Sequence, residues 1–145
     1  MKKSFVICAA FIVASLAATG PSFAQNGQVG AQPPPAVILR DDGKAITPQR
    51  KAQSDQLMAT GLSSLQSGAS ALQAGNEQAA ISYLQSAYST MLQAEPIYHG
   101  YREKALRNTK EAGTELERNK RESVQRASGR IAQAISDAQT AVNSW

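Results

Sequence analysis

A seven-residue repeat in the middle of the chain limits the fold more than any other feature. Residues 61–67 (GLSSLQS) are followed by residues 68–74 (GASALQA) and then by Gly75. Apolar residues recur through this region at alternating spacings of four and three, which predicts a helix with one apolar seam. The seam consists of Met58, Leu62, Leu65, Ala69 and Leu72. Gly61 and Gly68 lie beside it, and a glycine inside a helix costs about 1 kcal/mol relative to alanine. We therefore expect a second helix to approach this glycine line closely.

Capping residues predict where the first two helices begin and end. Thr47 precedes a proline, which predicts a helix over residues 48–74. Gly75 is placed to end that helix, and Asn76 is placed to cap a second helix over residues 76–95. The expected seam of the second helix is Ile81, Leu84, Tyr88 and Met91, with Ala80 and Ala87 beside it. A short connection between them predicts an antiparallel helical hairpin.

The remaining segment, residues 96–145, is long enough for a third helix that reaches the last residue. Gly113 and the pair at 128–129 are the positions where we expect a break or bend, if there is one. The expected apolar seam near the end is Val124, Ala127, Ile131, Ile135, Ala138, Val142 and Trp145. The predicted fold class is all-α, a three- or four-helix bundle with its helical domain over residues 48–145.

A proline- and glycine-containing arm over residues 25–47 precedes the helices. Residues 33–35 are all proline, which favours extended geometry. Asp42 and Gly43 are flanked by short apolar runs, which is a signal for a hairpin over residues 36–47. Two readings stay open. The arm docks on the helices through Val37, Ile38 and Leu39, or it pairs with a partner.

The beginning of the chain predicts export. Residues 2–3 are lysines, residues 5–18 form an apolar run too short to span a membrane, and Ser22 and Ala24 are small residues at the right spacing for cleavage. Residues 1–24 are therefore predicted to be a secretory signal peptide. We expect the rest of the chain in the bacterial periplasm or outside the cell.

Composition excludes several functional classes. The single cysteine, Cys8, lies in the predicted signal peptide, so the exported chain would have neither disulfides nor thiolate chemistry. Without the lysines at 2 and 3, 13 basic residues face 11 acidic ones. That balance argues against nucleic acid as a partner. Residues 102–130 are basic overall. A solvated face with ion pairs is the expected reading there, and contact with a membrane or with anionic envelope material is the less favoured one.

A search for reactive residues finds few candidates. His99 is the only histidine and stands between Tyr98 and Tyr101. It could be a metal or haem ligand with a distant Met58 or Met91, but the chain has no second histidine and no haem-attachment motif. We expect no catalytic residue, no metal and no cofactor.

Two acidic pairs have no functional spacing. Asp41 with Asp42 and Glu115 with Glu117 lack the spacing of a metal-binding loop. We expect the first pair to lie in a turn and the second on a solvated helix face.

Residues 63–96 resemble one tetratricopeptide (TPR) unit, a helix–turn–helix pair of about 34 residues. The residues that carry the resemblance are Gly68, Gly75, Ala80, Ile81, Leu84, Ala87 and Pro96. The resemblance implies a groove that binds a peptide or another protein, and it implies no chemistry.

Three functional readings result. The first is an exported, non-enzymatic protein that acts by protein–protein contact. The second is an accessory component of an envelope or secretion assembly. The third is a helical-bundle carrier of a small ligand or metal near Tyr98, His99 and Tyr101.

Overall fold

The computed structural model describes residues 37–118 and 121–144. Within these ranges the chain forms two short strands and four helices. They are β1 (Ile38–Leu39), β2 (Ala45–Ile46), α1 (Pro48–Gln73), α2 (Glu77–Leu92), α3 (Tyr101–Glu117) and α4 (Arg121–Asn143). The all-α prediction is confirmed, with four helices in the described part. The predicted signal peptide (1–24), the arm up to residue 36 and Trp145 lie outside the described residues.

The helices form an antiparallel bundle in which each packs on its neighbours in chain order and α4 packs back on α1. Local sequence signals explain where α1 begins and ends. The Thr47 hydroxyl accepts a hydrogen bond from the Arg50 amide, and Pro48 occupies the first helical position. At the other end of α1, Gly75 takes a left-handed φ of 76°. Because only glycine adopts this conformation at little cost, the helix ends there.

The α1–α2 connection satisfies the backbone groups at both helix ends. The amide of Asn76 donates to the Ala71 carbonyl at 2.9 Å, and the amide of Gly75 donates to the Leu72 carbonyl at 3.0 Å, the bonding pattern of a Schellman motif. The Asn76 side chain then accepts from the Ala79 amide at 3.0 Å and caps α2. The predicted roles of Gly75 and Asn76 are confirmed.

The glycine line of α1 lies in the contact with α2. Gly61 and Gly68 are both buried. A Cβ added to Gly61 would overlap Cγ of Met91, and one added to Gly68 would lie 3.4 Å from Cβ of Tyr83. The predicted close approach is confirmed, and it is tighter at Gly61.

The buried faces of α1 and α2 are rotated slightly from the predicted seams. In α1 the glycines themselves belong to the buried stripe, while Leu62 and Ala69 are only half-buried. In α2 the buried residues are Ala80, Leu84, Ala87 and Met91. The predicted seam residues Ile81 and Tyr88 pack at its edge. The small residues face the partner helix because they allow the two backbones to come close.

Helix α2 ends at Leu92, three residues earlier than predicted, and α3 supplies the cap. The Arg102 guanidinium donates from Nε to the Met91 carbonyl at 3.0 Å and from Nη2 to the Leu92 carbonyl at 2.7 Å. A cation at the carbonyl end of a helix also interacts favourably with the helix dipole. Ile97 and Tyr98 are fully buried and anchor the connection to α3.

Of the two possibilities left open for residues 96–145, one helix or two, the structure has two, and neither position suggested for a break is where the chain reverses. Gly113 and Gly129 lie inside helices, and the reversal falls between Glu117 and Arg121. Folding back at this polar stretch lets α3 and α4 bury their apolar stripes against each other. The sequence has neither glycine nor proline between Glu117 and Arg121, so the strongest local signals for a reversal are missing there.

The prediction that Ile131 and Ile135 are both buried is half right. Ile131 is 1 % exposed, whereas Ile135 packs at the edge of the core and is only half-buried. The centre of the α4 stripe is made of small residues: Ala127, Ala134, Ala138 and Ala141. The stripe therefore faces α1 and α3 with little side-chain volume.

Candidate interaction site at the hairpin end of the bundle

The predicted hairpin forms ahead of α1. Strands β1 and β2 are antiparallel, with Ile38 opposite Ile46 and Leu39 opposite Ala45. The Gly43 amide donates to the Arg40 carbonyl at 2.9 Å, and Gly43 has a φ of 80°, which closes the three-residue loop.

Only part of the predicted docking is correct. Ile46 is buried and Ile38 packs against the core, but Val37 and Leu39 are 74 % and 52 % exposed. Alternate residues of a strand point to opposite faces, so Ile38 and Leu39 cannot both face the bundle.

Asp41 joins the hairpin to the α2–α3 connection. Its carboxylate accepts from the backbone amides of His99 at 3.1 Å and Gly100 at 3.0 Å. Its own amide donates to the Pro96 carbonyl at 2.6 Å. His99 has a left-handed φ of 50°, and Gly100, the N-terminal cap of α3, has a φ of 78° and no side chain with which to cap it. Asp41 therefore supplies from a distance the cap that α3 lacks locally.

An ion-pair network fixes the other side of the hairpin. Glu95 accepts from Arg40 at 3.1 Å and from Arg50 at 2.5 Å. The Glu95 amide donates to the Ser54 hydroxyl at 2.6 Å. Hairpin, α1 and the end of α2 are thus held together at one carboxylate.

Tyr98 anchors the α2–α3 connection in the core. Its ring is fully buried, and its hydroxyl donates to Oδ1 of Asp55 at 3.0 Å. Lys51 pairs with the other oxygen of Asp55 at 2.6 Å. Burial raises the pKa of Tyr98 above its ordinary value, and the Asp55 carboxylate raises it further.

An open apolar groove of about 930 Å³ lies between β1 and the α2–α3 connection. Its lining includes Val37, Leu39, Pro96 and His99. The two most exposed large hydrophobic side chains of this region, Val37 and Leu39, form one of its walls. Contacts of Asp41 and Glu95 join the hairpin to the α2–α3 connection and so tie the two walls of the groove together.

The three residues considered for a carrier do not line one cavity. Tyr98 is buried, His99 is exposed, and the groove beside His99 is lined by neither Tyr98 nor Tyr101. Tyr101 instead has the Lys104 ammonium 4.6 Å from its ring centroid. Met58 and Met91 are both fully buried in the helical core. Among the described residues, no cluster of three or more histidine, cysteine, aspartate or glutamate side chains could hold a metal ion.

Several of the basic residues at 102–130 are in ion pairs. Arg118 and Arg126 both reach Glu115, at 2.9 and 3.0 Å, and Arg130 reaches Glu111 at 3.0 Å. Desolvation raises the pKa of Glu115, but the hydrogen bond from Arg126 and the two guanidinium charges outweigh it and hold that pKa below its ordinary value. This pattern agrees with the expected solvated face with ion pairs.

A buried polar pair between α3 and α4 had no signal in the sequence. Asn108 and Asp137 are 4 % and 7 % exposed, and the amide nitrogen of Asn108 donates to Asp137 at 2.9 Å. Each residue lies on a helix face whose other members are small or apolar. The pair restricts how α3 and α4 slide along each other, because any shift would leave a buried carboxylate without its donor.

Comparisons with known proteins do not show a family for the chain. No family model matches the chain, and no curated protein or solved structure matches it. The TPR resemblance therefore stays a prediction. Helix α1 begins at Pro48, well before the resembling segment of residues 63–96. None of the described helices is long and apolar enough to cross a membrane.

Proposed function

We propose that this chain is an exported, non-enzymatic protein that acts by binding another protein at the hairpin end of its bundle. The observation that carries the proposal is the apolar groove beside β1, with Val37 and Leu39 exposed on its wall. Contiguous exposed apolar surface is typical of interaction sites. The predicted signal peptide of residues 1–24 supports export.

The contacts that order the site also support a binding role. Asp41, Glu95 and Tyr98 each make contacts that join segments distant in the chain. A binding surface that is already ordered loses little conformational entropy when the partner arrives. The polar side chains nearest the groove are engaged in these structural hydrogen bonds and ion pairs. We therefore assign no catalytic role to them.

The proposal is tested by chemical cross-linking in the producing cells, followed by purification of the full chain and its adducts. Leu39→Asp places a charge on the groove wall and should remove the specific adducts. Tyr83→Asp is the matched control, since Tyr83 is also exposed (43 %) but lies beside Gly68 of α1 and does not line the groove. Adduct patterns that are equal in the two variants would contradict the proposal.

The same experiment distinguishes the narrower reading and the rival one. An adduct with an envelope or secretion protein would place the chain in such an assembly. For the carrier reading, the purified chain is examined by metal analysis and by its visible absorption spectrum. A stoichiometric metal or chromophore that is lost in His99→Ala would contradict the interaction proposal and support the carrier reading.

A further inference from the structure

A second groove, of about 360 Å³, lies between α2 and α3 and shares no lining residue with the groove at the hairpin. Its α2 wall consists of Leu84, Gln85 and Tyr88. Leu84 is buried and Tyr88 is half-buried, so both offer apolar contact. Gln85 is exposed, and its amide makes no hydrogen bond with another described residue. The wall therefore combines apolar surface with an amide that can still donate and accept hydrogen bonds.

The middle of the α3 wall is left open by a glycine. A glycine inside a helix destabilises that helix relative to alanine. The close approach of α2 explains the two buried glycines of α1, but nothing comparable explains Gly113, because a Cβ added there would have no packing neighbour within 4 Å. The lack of a side chain at Gly113 therefore leaves space in the groove that no described part of the chain fills.

Two opposite charges flank this space. Lys110 and Glu117 both line the groove, one on each side of Gly113, and their spacing puts all three residues on one face of α3. At about 1.5 Å of rise per residue, the two charged residues are about 10 Å apart along the helix axis. Neither makes an ion pair with another described residue. Helix α2 carries one charged residue, Glu77, which does not line the groove. A bound molecule therefore meets a cation at one end of the groove and an anion at the other.

This arrangement matches a short peptide whose two ends are both charged. An extended chain spans about 3.3–3.6 Å per residue, so a tripeptide covers about 10 Å. We infer that the groove binds a tripeptide, as a second site that goes beyond the proposed function. The carboxylate of the peptide pairs with Lys110, its amino group pairs with Glu117, and its middle peptide group hydrogen-bonds to Gln85. Its aliphatic side chains pack on the apolar α2 wall, and the gap at Gly113 lets its backbone approach α3.

The test measures the binding of trileucine to the purified full chain by isothermal titration calorimetry. A second peptide, trileucine with an acetylated amino end and an amidated carboxyl end, has the same side chains and no charge. Gly113→Leu fills the middle of the groove. Gly129→Leu is its matched control, because Gly129 also lies inside a helix and has no packing neighbour within 4 Å, but does not line the groove.

Lys110→Gln and Glu117→Gln each remove one charge from the groove. Arg107→Gln is their control, since Arg107 is exposed on the same helix but does not line the groove. Leucine favours a helix more than glycine does, so both glycine variants should melt at a higher temperature than the unaltered chain. A loss of binding in Gly113→Leu is then not a loss of folding. If Gly113→Leu does not fold, the two charge variants and the uncharged peptide decide the outcome.

We expect saturable binding of trileucine to the unaltered chain. Gly113→Leu should weaken it at least about tenfold by overpacking the groove. Each charge variant should weaken it about threefold to fivefold, the range for an exposed ion pair. The uncharged peptide should bind about tenfold more weakly than trileucine, because it loses both ion pairs. Gly129→Leu and Arg107→Gln should stay within about twofold of the unaltered chain.

The absence of saturable binding overturns the inference, and so does equal binding of the charged and the uncharged peptide. If only one of the two charge variants weakens binding, the peptide is held at one end and the inference is wrong. Binding that Gly113→Leu leaves unchanged overturns it as well, and a loss in Leu39→Asp would then place the peptide at the hairpin groove. The cross-linking test of the proposed function is separate, because it concerns the other groove and a protein partner.

Discussion

Asp41 and Gly100 are 59 residues apart in the chain, yet Oδ2 of Asp41 accepts a hydrogen bond from the Gly100 amide at 3.0 Å. The other carboxylate oxygen accepts from His99. One side chain thus caps α3, holds the left-handed residues before it and fastens the hairpin. It also orders the strand β1, which forms one wall of the groove proposed as the binding site.

We predict that Asp41→Ala lowers the free energy of unfolding by about 1–2 kcal/mol, the range for loss of a helix cap. The neighbouring Asp42→Ala is the control, because Asp42 bonds locally to the Lys44 amide and pairs with Arg40 and Lys44 at the surface. Urea unfolding measures both. Equal, small effects would show that the carboxylate of Asp41 does not hold the hairpin to α3.

The two buried glycines of α1 should respond differently to alanine. Gly61→Ala is expected to destabilise the fold by about 1–3 kcal/mol, because its Cβ would overlap Met91, which is fully buried. Gly68→Ala has an ordinary contact distance of 3.4 Å and should be neutral or stabilising by up to about 1 kcal/mol. Thermal melts of the two variants check the order. If Gly61→Ala were more stable than the unaltered chain, α1 and α2 would be farther apart in solution than in the structure.

These glycines also show what the sequence could predict. Helix periodicity and capping depend on neighbouring residues. The helix that contains the seven-residue repeat and the turn at Gly75 and Asn76 were therefore predictable from the sequence. The α3–α4 reversal after Glu117 was not, because it is decided by how two distant apolar stripes pack. At the candidate site, the hairpin turn was predictable, and strand alternation could have separated Leu39 from Ile38. The Asp41 cap depends on a contact between distant segments and had no local signal.

The C-terminal helix should depend on one isoleucine more than on the other. Ile131→Ala is expected to cost about 2–4 kcal/mol, since the side chain is fully buried. Ile135→Ala should cost about 1 kcal/mol, because this side chain is only half-buried. Denaturant midpoints compare them. If neither midpoint moves, α4 is not docked on the bundle in solution.

Tyr98 should make the fold sensitive to alkali. Its pKa is raised in the folded state, so its contribution to stability is complete below the unfolded value of about 10 and is lost as the pH rises above it. We predict that the free energy of unfolding falls more between pH 8 and pH 11 in the unaltered chain than in Tyr98→Phe. At pH 8, Tyr98→Phe should be less stable by about 1 kcal/mol, since the bond to Asp55 is lost. Parallel decreases in the two proteins would contradict this.

The central claim is that the chain acts through the groove at the hairpin and not through His99. It is tested most directly in a strain that lacks the protein. Each variant is expressed in that strain, and the measurement is whether it restores the function that the strain has lost. We predict that His99→Ala restores it and that Leu39→Asp does not, although both are exported and have the helix content of the unaltered chain. If His99→Ala abolishes function while the fold is intact and Leu39→Asp restores it, the interaction account is wrong and a carrier or an enzyme takes its place.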